Sequence, residues 1–437
     1  MVVNFSNGFV IVFLAGTIIS FLINHFLEFV DYKSRKANGG KIPSELKDIP
    51  EISDTFDEGK LKEICDYENA KYFVWIFSSS VNFILTLTLV LFGFYPFVFN
   101  LVLNWIGLPV TVGTSFLSFL LFMILSSIPS TLISIPFDLY NEFVLEKKFG
   151  FSKMTFKLWI ADQIKGLLLS MILIVLLTLV ASVFFIKLNT SWWLVLAITL
   201  IGFTFLMQVI YPKFIAPLFN KFSPLEDGEL KDKISGILEK TGFKNDGLFV
   251  MDASKRSGHS NAYFSGFGKS KRIVLYDTLI NSMTADELTA VLGHELGHFK
   301  LKHITKRLFI TIPLEFILLF VLYLLAHCES LYTSFGFAVD SVSINYFQFI
   351  GLFLALQLFE SISEIISPVT NLSSRCHEYQ ADKFAAELCG TSQHLITGLI
   401  KLNSENLSEL FPPAIYVFWN FSHPTLVQRV AALKNYK

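Results

Sequence analysis

The stretch GLLLSMILIVLLTLVASVFFI, from Gly166 to Ile186, contains no charged side chain. About 20 apolar residues are what an α-helix needs to cross the roughly 30 Å hydrocarbon core of a bilayer. Six other stretches read the same way. They start at Gly8, lie within Val74–Phe99, run from about Thr114 to Ile135, end at Tyr211, and begin at Leu308 and at Tyr346. Seven membrane spans are therefore expected. Composition agrees: the 437 residues are 53% apolar and only 16% charged, with 47 phenylalanines, and soluble domains carry about 25% charged residues. The first run is too long for a cleaved signal peptide and has no basic residue before it. A net charge of -1 gives no footing for a nucleic-acid partner. Cys65, Cys328, Cys376 and Cys389 have no CxxC spacing, so neither a disulfide framework nor a thiolate metal site is suggested.

Lysine and arginine set orientation. Neither occurs before Gly8, nor in the loops 100–113 and 327–345, and the loop between spans four and five has only Lys187. The other set of loops is basic, with Lys33, Arg35 and Lys36 after span one and Lys147, Lys148 and Lys153 after span three. The N-terminus is thus expected outside or in the lumen and the C-terminus in the cytoplasm. Residues 1–211 read as spans one to five with their loops, 212–306 as a cytoplasmic region, 307–370 as spans six and seven, and 371–437 as a second cytoplasmic region. Two crossings separate the polar regions, so both lie on one face and can meet. The segment 38–66 reads as a cytoplasmic loop with short helical pieces.

VLGHELGHFKLKH, Val291 to His303, carries the chemistry. Residues four apart share a helix face, so His294 and His298 can reach one metal ion. Glu295 sits about 100° round, beside the ion's open position. The helix has its own signals: a capping box from Thr284 to Glu287, then an apolar stripe of Leu288, Val291 and Leu292. His303 lies nine residues from His294, about 900° of rotation, and is expected to face away as a solvated or interfacial side chain. Nor is this the metzincin pattern, because Leu301 and Ile304 stand where Gly and His would be needed.

A third ligand must come from elsewhere on the same face. NLSSRCHEYQADKFAAELCG, Asn371 to Gly390, offers Cys376, His377 and Glu378. Glu378 has the strongest case, since Asp382 lies four residues on. One carboxylate could bind the metal while the other accepts the free N–H of a ligating histidine. Without a metal, the same acids could pair with Arg375 and Lys383 on a surface helix. LFVMD from Leu248, SNAYFSG from Ser260 and KRIVLYD from Lys271 read as short strands, one edge of which could pair with an extended peptide.

These residues resemble the type I CAAX prenyl endopeptidases, the seven-span zinc metalloproteases related to the a-factor and prelamin-A processing enzymes. The likeness runs through FDLYNEFVLEKKFGF from Phe137, YPKFIAPLFNKFSPLEDGEL from Tyr211, SKRSGHSNAYFSGFG from Ser254, HELGH from His294, SRCHEYQAD from Ser374 and FSHPTLVQR from Phe421. It implies one zinc per chain on His294, His298 and Glu378, Glu295 as catalytic base, Asp382 behind a ligand, and His423 on substrate or transition state. Asn261, Ala262 and Arg429 are implied to bind substrate. The implied fold is an all-α membrane protein whose seven helices enclose a water-filled chamber, with a cytoplasmic gluzincin-like protease region carrying a small β-sheet. Glu315, Glu360 and Glu364, inside spans six and seven, fit a chamber wall, because acids at such depth usually face protein or water.

The expected activity is zinc-dependent hydrolysis of peptide bonds near the C-terminus of prenylated (CAAX-type) proteins or peptides, at the lipid bilayer of a bacterial inner membrane or the endoplasmic reticulum. A broad quality-control membrane protease is the alternative within enzymology. A seven-span transporter or receptor is the alternative outside it. Nothing in the sequence marks a prenyl pocket, since an apolar groove is indistinguishable from helix packing.

Overall fold

The computed structural model describes residues 7–50, 52–243, 247–265, 271–339 and 343–436. The stretch before Asn7, used in the charge bias, and residues 266–268 of the Ser254 motif lie outside them. Six helices are long and apolar enough to cross a bilayer: Gly8–Asn38, Glu58–Leu91, Val112–Lys148, Phe156–Leu188, Trp192–Phe219 and His303–Ala326. The seventh span is broken. Gln348–Ser363 and Ser367–Cys389 meet at a 63° bend, and Pro368 opens the second helix, where a missing N–H costs nothing.

The second span extends beyond its apolar part. Its helix starts at Glu58, capped by Asp57, whose carboxylate accepts the Lys60 N–H at 2.7 Å. It ends at Leu91, well short of Phe99. Gly93, in the left-handed conformation at φ 73°, separates it from the next helix. Phe94–Ile106 is a 13-residue helix, about 20 Å long at 1.5 Å per residue, and too short to cross. It buries Val98, Phe99 and Val102 instead. Much of the phenylalanine excess packs here: Phe349 has the rings of Phe99, Phe119 and Phe122 at 6.4, 5.2 and 6.1 Å. Outward-facing apolar residues such as Phe309, Leu132 and Ile172 are more than half exposed on single spans, as contact with lipid tails allows.

The polar regions form one folded body. A four-stranded sheet contains β1 (Phe222–Pro224), β2 (Leu248–Met251), β3 (Ala262–Ser265) and β4 (Arg272–Tyr276), in the order β1-β2-β4-β3. β2 and β4 are parallel, the other pairs antiparallel, and β3 is an edge. The HELGH helix, Ala285–Lys300, packs along Ser367–Cys389. Their close approach rests on small residues: a Cβ at Gly297 would lie 3.0 Å from Ala381 Cα, and one at Gly293 would lie 3.6 Å from Ala385. The loop after span one is part of this body rather than a free connection. Leu46, Ile49, Ile52 and Phe56 are buried with Leu395, Ile396 and Ile400 of Gln393–Glu405 and Val430 of Leu426–Leu433.

Candidate metal centre

The HELGH helix begins where its capping box predicts. Thr284 Oγ1 accepts the Glu287 N–H at 3.3 Å, and Glu287 accepts the Thr284 N–H at 2.8 Å. Lys401 also reaches Glu287, at 2.8 Å, and ties this end to Gln393–Glu405. The helix then buries Leu288, Leu292 and Leu296 toward the sheet. His294 and His298 are left together on the face toward Ser367–Cys389, with Nε2 atoms 3.2 Å apart. Glu378 enters from that helix, 4% exposed. Its Oε2 is 3.3 Å from His294 Nε2 and its Oε1 3.2 Å from His298 Nε2.

These donors fit a metal ion. One ligand atom from each of His294, His298 and Glu378 falls within 4.8 Å of the others. Donors around a tetrahedral ion with bonds of about 2.0–2.1 Å lie about 3.3 Å apart, close to the three separations found. Glu378 Oε2 is buried without a hydrogen bond, which is costly unless something cationic meets it. Of the three alternatives on this helix, Glu378 alone joins the histidines: Cys376 is exposed, and the His377 ring stacks on His303 at 4.2 Å.

Each imidazole is backed on its far side. His294 Nδ1–H donates to Asp382 Oδ1 at 2.7 Å, and Asp382 is fully buried. Burial and the Arg429 charge pull the His294 imidazole down, but the neighbouring carboxylates of Asp382 and Glu378 outweigh them and leave it above its ordinary pKa. Arg429 was expected at the substrate. Its guanidinium is instead committed to Asp382, with Nε donating to Oδ2 at 2.9 Å and Nη2 to Oδ1 at 2.5 Å. A buried carboxylate needs such a partner. His303 does not face solvent either. It is 3% exposed, with Nδ1 3.0 Å from His298 Nδ1 and Nε2 3.0 Å from Gln380 Oε1. Rotation along an ideal helix fails here because Lys302 takes the left-handed conformation, φ 57°. The HELGH helix ends there and a new helix starts at His303.

Glu295 is half-buried and has no hydrogen-bond or ion-pair partner among the described residues. His423 is exposed at the rim, its Nε2 3.5 Å from Glu378 Oε1 and its Nδ1 2.9 Å from Ser422 Oγ. Its loop is held by the ligand helix. Arg375 donates to the Val417 carbonyl at 3.1 Å and to that of Phe421, and Asn371 to that of Trp419 at 2.7 Å. Arg375 thus holds carbonyls rather than the neighbouring acids. Asn261 is exposed just before edge strand β3, and its Oδ1 accepts the Ala262 N–H at 2.8 Å. Ala262 is nearly buried. The approach to β3 is pinned from the loop after span three: His259 stacks on Phe151 at 3.9 Å and lies 3.3 Å from Glu146.

The chain is similar to known proteins along nearly its whole length. Residues 32–221 match the CAAX prenyl protease N-terminal region with five membrane helices, and residues 224–437 match peptidase family M48. CAAX prenyl protease 1 of Saccharomyces cerevisiae is 38% identical over 405 residues, 89% of each chain. The human CAAX prenyl protease 1 homolog is 32% identical over 91% of this chain and 89% of its own. The crystal structure of S. mikatae Ste24p superposes with a TM-score of 0.86 at 36% identity, over 98% of this chain and 99% of that one.

Proposed function

The chain belongs to peptidase family M48, with the N-terminal membrane helices of the CAAX prenyl proteases, and from that membership we propose its substrate and the residues that act on it. It is a multi-pass membrane metalloendopeptidase. The proposed reaction is cleavage near the C-terminus of prenylated CAAX-type proteins. The observation that carries this reading is the convergence of His294, His298 and Glu378 next to an unpaired Glu295.

These three residues would hold one zinc ion. Zinc bound there supplies a Lewis acid that polarises a peptide carbonyl and makes nearby water easier to deprotonate. Glu295, next to His294 on the helix, takes the proton from the attacking water and returns it to the leaving amine. His423, exposed at the rim, donates to the oxyanion. The free edge of β3, led by Asn261 and Ala262, pairs with the extended substrate backbone. Arg429 acts through Asp382 rather than on substrate. The lysine and arginine bias supports a cytoplasmic site and an outer or lumenal N-terminus. Glu360, on the helix ahead of the bend, and Glu364, at the bend itself, are exposed, which supports a wet interior between the spans.

The test is a Glu295→Ala chain that retains its zinc. Cleavage should fall by about 10²-fold or more, and a wild-type rate would rule Glu295 out as the base. A pair of peptides differing only in a farnesyl group on the cysteine addresses the substrate. Faster cleavage of the farnesylated one is expected. Equal rates would favour a broad quality-control protease.

A further inference from the structure

His303 sits where helix rotation alone does not put it, and the chain bears a cost to place it there. Lys302 is one of two non-glycine residues in the left-handed region among the described residues, with Leu407 the other. The left-handed conformation costs such a residue about 1 kcal/mol, and strain of this kind collects where function over-determines the backbone. The break returns His303 toward His298 and buries it between that ring and His377, whose plane is 13° from its own.

The hydrogen bonds have a direction. The amide oxygen of Gln380 only accepts, so His303 Nε2 carries a proton. A neutral imidazole protonated at Nε2 presents a bare Nδ1. The proton between the two rings then belongs to His298 Nδ1. That leaves the lone pair of His298 on Nε2, the nitrogen 3.2 Å from Glu378. We propose that His303, oriented by Gln380, is a positioning residue that fixes the tautomer of His298 and so prepares Nε2 to bind the metal. This rests on His298 being a ligand.

The experiment measures Zn²⁺ affinity of the full chain in detergent, by competition with a chromophoric chelator. His303→Leu removes the acceptor and should weaken binding about 10-fold or more, as loss of such partners does elsewhere. In His303→Asn the amide oxygen takes the place of Nδ1 and can accept from His298, so affinity should return to within about 3-fold of wild type. Gln380→Leu, at an exposed position, should weaken binding by about 10-fold. It carries the test if His303→Leu does not fold. His298→Ala reports on the underlying reading and should abolish binding. If His298→Ala keeps the ion, the ligand assignment is wrong. If only His298→Ala loses it, while His303→Leu and Gln380→Leu bind as wild type, the inference falls and the ligand assignment stands. Equal loss in His303→Leu and His303→Asn also overturns it, since packing would then explain the effect.

Discussion

The two imidazoles of the motif point at one spot but are supported by different means. His294 leans on a buried carboxylate that is itself neutralised by Arg429. His298 leans on a neutral imidazole held by an amide. The first support is ionic and reaches across to the helix Leu426–Leu433. The second is made locally, by a backbone break four residues after His298, with Gln380 added from the helix Ser367–Cys389. A carboxylate partner raises ligand basicity, whereas a neutral partner mainly sets tautomer and orientation. Removing part of an ionic support also leaves an uncompensated charge behind, which removing a neutral one does not.

The largest effect should therefore come from the His294 side. Asp382→Ala is expected to lower zinc affinity about 10–100-fold and to cost about 3 kcal/mol of stability, because Arg429 is left buried without its partner. Thermal unfolding in detergent, with chelator competition, measures both. Adding Arg429→Leu should restore much of the stability and none of the affinity. If the double variant is no more stable than the single one, the ionic account of this support is wrong.

Next comes the seam that brings both histidines to Glu378. Gly297→Ala would place a methyl group 3.0 Å from the Ala381 backbone, and overpacking of this kind costs about 1–3 kcal/mol. Peptide cleavage should fall at least tenfold as Glu378 is pushed off. Gly293→Ala, with 3.6 Å of room, should stay near wild type. Similar activities for the two variants would show that the seam does not set the ligand geometry. The smallest effect is expected at Lys302. Lys302→Gly should remain within about 1 kcal/mol of wild type, whereas Lys302→Val, branched at a left-handed position, should lose about 1–2 kcal/mol. Zinc affinity should drop only in the valine variant. An equal drop in both would mean that the lysine side chain, not the backbone, matters there.

Much of this was legible in the sequence because it follows from local rules. Hydropathy located the spans, and the capping box placed the start of the HELGH helix. The spacing of His294 and His298 put them on one face. Glu378 and Asp382 were legible as a pair four residues apart, although only the fold brings them across two crossings. What sequence reasoning missed depends on breaks and long-range pairs. Lysine gives no signal for a left-handed residue, so His303 was carried along an ideal helix to the wrong side. The bend in span seven did leave a trace, Pro368 directly after Ser367, hidden inside an apolar run. The second span does lie within Val74–Phe99, but its helix starts well before the apolar part, at Glu58. Hydropathy cannot see helical turns that continue into water. Strand β1 is only three residues and ends in proline. Arg429 could not be assigned to Asp382, since 47 residues and several turns lie between them.

The site is also scattered along the order of synthesis. The two histidines emerge first, Glu378 and Asp382 follow after two more spans have been inserted, and Arg429 comes last. Until that last segment docks, Asp382 is an uncompensated charge, and the ligand cluster has no reason to close. Metal capture is thus expected late, after the chain's hydrophobic segments have settled in the membrane. Enzymes that cut polypeptides face a hazard from their own unfinished chains. Late closure of this site is expected to keep it inactive until the chain is complete.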